Sequence, residues 1–301
     1  MKKALYFLLK LLLYIVSLLP FALIYMISDL LYITMYRVFG YRKKVVFENL
    51  RKSFPDKSED DIKNIAEKFY RFLCDQIMES AKMLTISEKT VRKRFRLNNV
   101  DEIHRHFNNN RPVIAVTGHY GNWEWGILII SILVKSPVFI AFKPIKDKRF
   151  EYLINTMRSR FNAVLVPMKS ILRKISECKS PYILVLVSDQ TPARAEISYF
   201  TQFMNQQTPV FLGTEKLAKL SGSPVVYSHI DRIRRGYYEC TFETLFEEPN
   251  ITAEKEITET HTRKLEEIIK RKPELWLWSH RRWKYAPVED AGRAALDQQL
   301  L

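Results

Sequence analysis

The sequence predicts an α/β fold: a mixed, mostly parallel sheet flanked by helices, with an N-terminal membrane-anchoring helix. Three observations support this prediction. Short aliphatic runs of strand length alternate with segments of helical periodicity along most of the chain. An apolar run over 4–27 contains a single charged residue, Lys10. With 301 residues, of which 47% are hydrophobic, the chain can bury a core and is not a disordered polymer.

The N-terminal run over 4–27 is the first element. At about 1.5 Å per residue it is long enough to cross a hydrocarbon core of about 30 Å. Pro20 should kink any helix here. A cleaved signal peptide is an alternative, but no small-x-small cleavage site precedes Pro20. A buried core helix is another, and a single span or two kinked interfacial helices both remain open.

Basic residues are more numerous after this run than before it. Lys2 and Lys3 precede it, and those that follow are Arg37, Arg42, Lys43, Lys44, Arg51 and Lys52. This asymmetry predicts that the rest of the chain is cytoplasmic. The three cysteines, too few and odd in number for a disulfide framework, agree with a reducing compartment. Beside an apolar anchor these bases favour contact with anionic head groups over an ordinary solvated face.

The remainder alternates between helix and strand. The spacing predicts helices over 57–83, 122–132, 149–160, 170–178, 208–220 and 257–270. It predicts strands over 113–117, 138–142, 164–167, 182–188, 225–229 and 238–245. Such alternation implies a sheet with helices on its faces, and reactive groups then lie on loops beyond the carboxyl ends of the strands.

The first loop with unusual chemistry follows the strand over 113–117. His119 lies there between Gly118 and Gly121, and Glu124 follows five residues later. On one helix they would be about 140° apart, so they can meet only if His119 precedes the helix. A carboxylate on one imidazole nitrogen would make the other a general base for a hydroxyl. The alternative is a hydrogen-bonded structural histidine; a metal site is poorly supported because no second histidine lies nearby.

A second loop follows the strand over 182–188. Asp189 and Gln190 could order the neighbouring loop or bind a polar substrate. An Asx-type turn before Pro192 explains them equally well from spacing alone.

Five blocks, taken in order, resemble the bacterial lipid A biosynthesis acyltransferases, the lauroyl/myristoyl late acyltransferase family. The segment over 118–124 is similar to the family's H-x4-D/E block, and Phe142-Lys143-Pro144 to its Tyr-Arg-Pro stretch with Lys in place of Arg. Met157-Arg158-Ser159-Arg160 resembles its paired arginines, and Ser188-Asp189-Gln190 its Asp-Gln or Asp-His loop. The segment over 276–284 is similar to its W-x-H-R-R-[FW]-K signature. One departure is the stretch over 199–205, which lacks the glycine of the family's Phe-Phe-Gly; this affects the expected acceptor contacts and acyl pocket.

The resemblance implies acyl transfer from a carrier thioester to the hydroxyl of a 3-hydroxyacyl chain on a lipid A precursor. His119 would be the base, Glu124 would orient it, and Arg158 would stabilise the oxyanion, with Arg160 as the alternative donor. The implied substrate-binding residues are Asn122, Lys143, Asp189, Gln190, Arg281 and Arg282. No cofactor or metal is implied, because the acyl group arrives on the phosphopantetheine of acyl carrier protein.

The resemblance also divides the chain and assigns its partners. The expected parts are a membrane anchor over 1–40, an acyltransferase domain over 41–285 and a polar tail over 286–301. The net charge of +15 would serve acidic acyl carrier protein, phosphorylated lipid A precursors and anionic lipids of the bacterial inner membrane, with the catalytic domain on the cytoplasmic side. No nucleic-acid-binding signature is present, so nucleic acid is not an expected partner.

Three alternatives remain open. One is an acyltransferase that uses a different glycolipid or a lysolipid acceptor. Another is a membrane-tethered thioester hydrolase in which His119 activates water and Asp189 serves as a second carboxylate, although no G-x-S-x-G motif is present. The last concerns the segment over 276–284, whose cations and tryptophans favour an interfacial patch; the alternative is a surface helix end with core tryptophans.

Overall fold

The computed structural model describes residues 3–285. The tail predicted over 286–301 lies outside the described residues. The helices are α1 Lys3–Leu18, α2 Phe21–Tyr32, α3 Lys43–Ser53, α4 Glu59–Lys82, α5 Glu88–Arg94, α6 Asp101–Asn108, α7 Trp123–Leu133, α8 Lys148–Arg158, α9 Ile171–Ser176, α10 Gly213–Ser221 and α11 Glu256–Arg271. The strands are β1 Phe95–Asn98, β2 Val113–Thr117, β3 Val138–Phe142, β4 Ala163–Pro167, β5 Ile183–Val187, β6 Phe200–Phe203, β7 Gln206–Pro209, β8 Val225–Arg234 and β9 Tyr237–Phe246.

Seven strands form the central sheet in the order β1-β9-β8-β2-β5-β3-β4. All neighbouring pairs are parallel except β8 with β9, so the predicted mixed, mostly parallel sheet is confirmed. The central strands β2 and β5 are buried almost throughout, as their aliphatic sequences predict for strands covered on both faces. Strands β6 and β7 form a separate antiparallel hairpin.

The N-terminal helices break where proline requires it. Helix α1 ends at Leu18 and α2 begins at Phe21, so Pro20 lies in the break. Helix α2 continues as a π-helical turn over Ile33–Val38. The stretch Phe21–Val38 is long and apolar enough to cross a membrane, by length and composition. Its inner face packs on α4, and Asp29 within it forms a salt bridge of 2.7 Å with Arg235.

One predicted element was partly wrong, and another was too short. The helix predicted over 208–220 begins only at Gly213, because Thr208 and Pro209 belong to β7 and pair with the β6 strand. The strand predicted over 225–229 is present as the first half of β8, which continues to Arg234 and pairs with β9 past the carboxyl end of β2.

Candidate active site

Strand pairing brings the two unusual loops together. Strands β2 and β5 are parallel neighbours, and their last residues Thr117 and Val187 are partners in the register. The loops that leave them therefore start side by side at the carboxyl edge of the sheet. His119 on the first loop and Asp189 on the second are 70 residues apart in sequence and share two hydrogen bonds.

The carboxylate of Asp189 is fixed on both oxygens. Oδ1 lies 2.6 Å from Nδ1 of the His119 imidazole. Oδ2 accepts the backbone N–H of His119 at 2.9 Å and the indole Nε1–H of Trp276 at 2.8 Å. Asp189 is only 7% exposed. Burial would raise the pKa of this carboxyl, but the His119 imidazole and these N–H donors lower it to about 2, so Asp189 is an anion at neutral pH.

This arrangement sets the tautomer of His119. Asp189 can only accept at Nδ1, so the imidazole proton lies on Nδ1 and Nε2 carries a lone pair. Nε2 accepts the side-chain amide of Gln190 at 3.0 Å. The imidazole side chain is 17% exposed, with the Trp123 ring against it edge to face at 4.9 Å. His119 and Asp189, which we call the dyad, therefore leave a basic nitrogen, Nε2, on a partly exposed imidazole.

The loop can make this turn because of its glycines. Gly121 has φ +62°, and a Cβ there would lie 2.6 Å from the backbone oxygen of Ile230. At Gly118 a Cβ would meet the Leu265 side chain at 2.8 Å. Gly121 therefore excludes a larger residue, whereas at Gly118 the end of the Leu265 side chain would have to shift.

Glu124 does not orient His119, which corrects the sequence prediction. Its carboxylate accepts Nε of Arg158 at 2.8 Å and also NH2 of the same guanidinium. Oε1 further accepts Nε1–H of Trp123 at 3.2 Å. Because Glu124 lies in the first turn of α7 and Arg158 in the last turn of α8, the pair joins two helices beside the loop that carries His119. The partner of His119 Nδ1 is Asp189, which had been predicted to bind substrate.

Asn122 is a structural residue of the loop, not an exposed substrate contact. It is fully buried and caps α7, where Oδ1 accepts the backbone N–H of Trp125 at 2.9 Å. Its Nδ2 donates to Glu79 Oε2 at 2.7 Å. Glu79 of α4 also accepts the hydroxyls of Tyr25 and Tyr238 at 2.8 and 2.7 Å, and burial raises its pKa to about 7. Helix α2 is thereby joined to the loop that carries His119 through one buried carboxyl group.

In a comparison with known protein families, residues 1–285 match the model of the family described as bacterial lipid A biosynthesis acyltransferase. The chain belongs to this family. It is therefore an acyltransferase. It is 24% identical over 254 residues to the lipid A biosynthesis palmitoleoyltransferase of Escherichia coli K12, covering 83% of this chain and 81% of the relative. It is 22% identical over 284 residues to the lipid A biosynthesis lauroyltransferase of the same organism, covering 91% and 90%. The lipid A biosynthesis acyltransferase of Shigella flexneri matches at 24% over the same share as the first.

The C-terminal block by which the chain resembles the acyltransferase family is partly buried, so the predicted interfacial patch is wrong for three of its six members, Trp276, Trp278 and Arg282. Trp276 and Trp278 are at most 2% exposed and pack edge to face at 4.7 Å. Arg282 is equally buried and donates from NH1 to the Pro209 carbonyl oxygen at 2.7 Å. Burial lowers the Arg282 pKa to about 10. These three residues belong to the core beneath the candidate site, whereas Arg281 and Lys284 are exposed.

Lys143 directly follows β3, so it lies at the same carboxyl edge of the sheet as the dyad. Its amino group is exposed and lies 3.7 Å from a Glu196 oxygen. The structure shows no contact between Lys143 and His119 among the described residues.

Sequence reasoning did not find two residues that shape the candidate site. Trp276 is noticeable as part of the C-terminal block, but its bond to Asp189 depends on a bridge between Tyr120 and Trp276 that only the fold creates. Glu79 offered a weak signal, an acidic residue on the apolar face of the helix predicted over 57–83. A carboxyl group at such a position needs donors, and these come from three separate elements.

Proposed function

We propose that this chain transfers a fatty acyl group from an acyl carrier protein thioester to a hydroxyl of a lipid A precursor, at the cytoplasmic face of the bacterial inner membrane. The observation that supports this most is the His119–Asp189 dyad at the carboxyl ends of β2 and β5. The names of the E. coli relatives support lipid A as the acceptor class, and the apolar helix over Phe21–Val38 supports a membrane location.

The reaction needs one base. Nε2 of His119 takes the proton of the acceptor hydroxyl while Nδ1–H remains bonded to the Asp189 carboxylate. The oxygen attacks the thioester carbonyl carbon, a tetrahedral oxyanion forms, and the C–S bond then breaks. The departing thiolate of the phosphopantetheine takes the proton from Nε2, which returns His119 to its neutral form. Gln190 occupies Nε2 at 3.0 Å, so its amide must move aside when the hydroxyl arrives.

Arg158 is the proposed donor to the oxyanion, as the family resemblance implies. Glu124 binds Nε and NH2 of its guanidinium and so fixes the direction of NH1. In this scheme Glu124 is a positioning residue for Arg158, and its negative charge lets a half-buried arginine remain beside the thioester.

A small apolar cavity of about 30 Å³ lies beside the dyad, so a fatty acyl chain that enters there must displace the side chains around it. The cavity lies between α7 and the sheet, and its walls are almost entirely apolar. Thr117 and Trp123, which flank the loop that carries His119, are among its lining residues. Its further lining residues include Gly126, Ile127, Ile130, Cys240 and Phe242.

Acyl transfer by the purified full chain in detergent tests the proposal. Acyl carrier protein loaded with a fatty acid is mixed with a phosphorylated lipid A precursor, and acylated lipid and free fatty acid are both measured by mass spectrometry. We expect acylated lipid from the wild-type chain and none from His119→Ala, while His104→Ala, a change at an exposed histidine of α6, behaves as wild type. Near-normal transfer by His119→Ala would refute the base. Free fatty acid formed at the same rate without acceptor would instead favour the hydrolase.

A further inference from the structure

Four cations surround a surface cavity that the proposed reaction does not use. We call Lys93, Arg94, Arg96 and Arg234 the basic cluster; they line the cavity together with Ile233, Tyr237 and Tyr238. No acidic residue lines it, and within residues 3–285 none of the four cations forms a salt bridge. Glu239 is opposite Arg96 in the strand register, but its carboxylate accepts Asn98 Nδ2 at 3.1 Å. The cavity therefore carries a positive potential that the described residues do not neutralise.

The basic cluster adjoins the apolar N-terminal helices. The Arg94 guanidinium stacks on the Phe21 ring of α2, with Cζ 3.5 Å from the ring centroid, and donates to the Gly236 carbonyl oxygen at 3.1 Å. Helices α1 and α2 expose a set of large apolar side chains, among them Leu5, Phe7, Leu8, Leu11, Leu12, Ile15, Leu18, Leu23, Met26, Leu30 and Ile33. Cations beside an exposed apolar helix surface are typical of the boundary between lipid head groups and acyl chains.

The β8–β9 hairpin adds an apolar residue of its own. Ile233 precedes Arg234 near the turn and is 49% exposed, although it lies between two cavities lined by charged residues. An isoleucine gains nothing from exposure to water, but it gains free energy when it enters the apolar layer beneath the head groups. The pair of Ile233 and Arg234 therefore fits a lipid surface better than the acidic surface of a protein.

The register places the basic cluster on the catalytic side of the sheet. Strand β8 pairs with β2 only over Val225–Tyr227 and continues to Arg234, well past the carboxyl end of β2. Strand β1 begins there too, because Phe95 pairs with Tyr238 near the start of β9. The cluster thus lies beyond the same edge of the sheet from which the His119 loop emerges.

We propose that the basic cluster binds the phosphate of an anionic phospholipid in the membrane that receives α1 and α2. The head-group phosphate lies among Lys93, Arg96 and Arg234, and Ile233 enters the apolar layer next to it. Arg94 holds the hairpin and α2 together at this point. Such a contact orients the edge of the sheet that carries the dyad toward the membrane surface. The proposal does not depend on acyl transfer, because lipid binding can occur whether or not the site is catalytic.

Lipid retention by the purified full chain tests this site. The protein in neutral detergent is mixed with equal amounts of phosphatidylglycerol and phosphatidylcholine, and the bound lipids are identified by native mass spectrometry. The test variant is Lys93→Gln/Arg96→Gln/Arg234→Gln, which spares the packed Arg94. The matched control is Lys169→Gln/Lys174→Gln/Lys179→Gln, which removes three exposed charges near β4 at the opposite edge of the sheet.

We expect the wild-type chain and the control to retain phosphatidylglycerol preferentially, and the test variant to bind it on the order of 100-fold more weakly, because each cation near an anionic surface contributes about five-fold. An unchanged preference in the folded test variant would overturn the proposal. Thermal unfolding checks the fold, and the single variant Arg234→Gln replaces the triple one if that does not fold. Because no substrate is present, failure here leaves the acyl-transfer proposal untouched.

Discussion

His119 Nδ1 and Asp189 Oδ1 are 2.6 Å apart, and this bond joins loops that leave two neighbouring parallel strands. The bond forms only if both loops hold these two side chains in fixed positions. Both Asp189 oxygens already have their donors, so the carboxylate cannot rotate away from the imidazole. The rigidity of the base thus comes from the sheet and from the core tryptophan Trp276.

Asp189→Asn should lower kcat on the order of 10³ to 10⁴-fold with little change in KM. The backbone N–H of His119 and the Trp276 indole need an acceptor, so the asparagine carbonyl oxygen faces them and its NH2 faces Nδ1. His119 then carries its proton on Nε2 and can no longer accept one from the hydroxyl. Steady-state acyl-transfer kinetics measure this, with the exposed Asp101→Asn of α6 as control. A folded Asp189→Asn enzyme with near-normal kcat would disprove the assigned role of the dyad.

Glu124 and Arg158 should behave as one unit in a double-mutant cycle. If Glu124 acts by holding the guanidinium, Glu124→Ala and Arg158→Ala each lower kcat, and the double variant is no worse than the more damaged single one. The exposed pair Arg51 and Glu59, bonded at 2.8 Å, is the control, and its cycle should leave kcat unchanged. Additive losses for Glu124 and Arg158 would contradict this, since they would mean separate roles.

The sheet was predictable because its strands are short, aliphatic and regularly separated by helices. Strands such as Val113–Thr117 and Ile183–Val187 need only local composition to be recognised. The β6–β7 hairpin was not, because Thr208 and Pro209 precede a helical pattern and Pro209 is compatible with a helix start. Whether such a residue ends a strand or begins a helix depends on a partner strand that local sequence does not reveal.

The site was predictable in its members but not in its pairings. Sequence placed His119 and Asp189 at the ends of strands but paired the imidazole with Glu124, which is closer along the chain. The choice between carboxylates depends on the strand order, in which β2 and β5 are neighbours. The sequence placed Arg282 in an exposed patch because buried arginines are rare. Its burial depends on an acceptor that only the fold provides, the Pro209 carbonyl oxygen of β7.

Gly121→Ala should disable the enzyme, whereas Gly213→Ala should not. An alanine at 121 requires φ +62° and places its Cβ 2.6 Å from the Ile230 carbonyl oxygen, so the loop must shift or strain by at least 1–3 kcal/mol. Gly213 begins α10, and a Cβ there meets nothing within 4 Å. Thermal unfolding and acyl transfer compare the two. Equal behaviour of the two variants would show that the turn at Gly121 is not required.

Stability should fall as the pH drops from about 6.5 toward 4, and His261 should account for part of the loss. Burial lowers the pKa of His261 from 6.5 to about 4, against the opposing effect of Glu215 and Glu259. The unfolded chain binds a proton between these values and the folded chain does not, so protonation favours unfolding and stability rises with pH through this window. The difference in the free energy of unfolding is at most on the order of 3 kcal/mol.

Thermal unfolding from pH 4 to 8 should show a smaller acid-induced loss of stability for His261→Gln than for wild type, by on the order of 5 °C. His104→Gln, at an exposed position, should follow the wild-type curve. If the His261→Gln curve has the same slope as wild type below pH 6.5, His261 is not the titrating group.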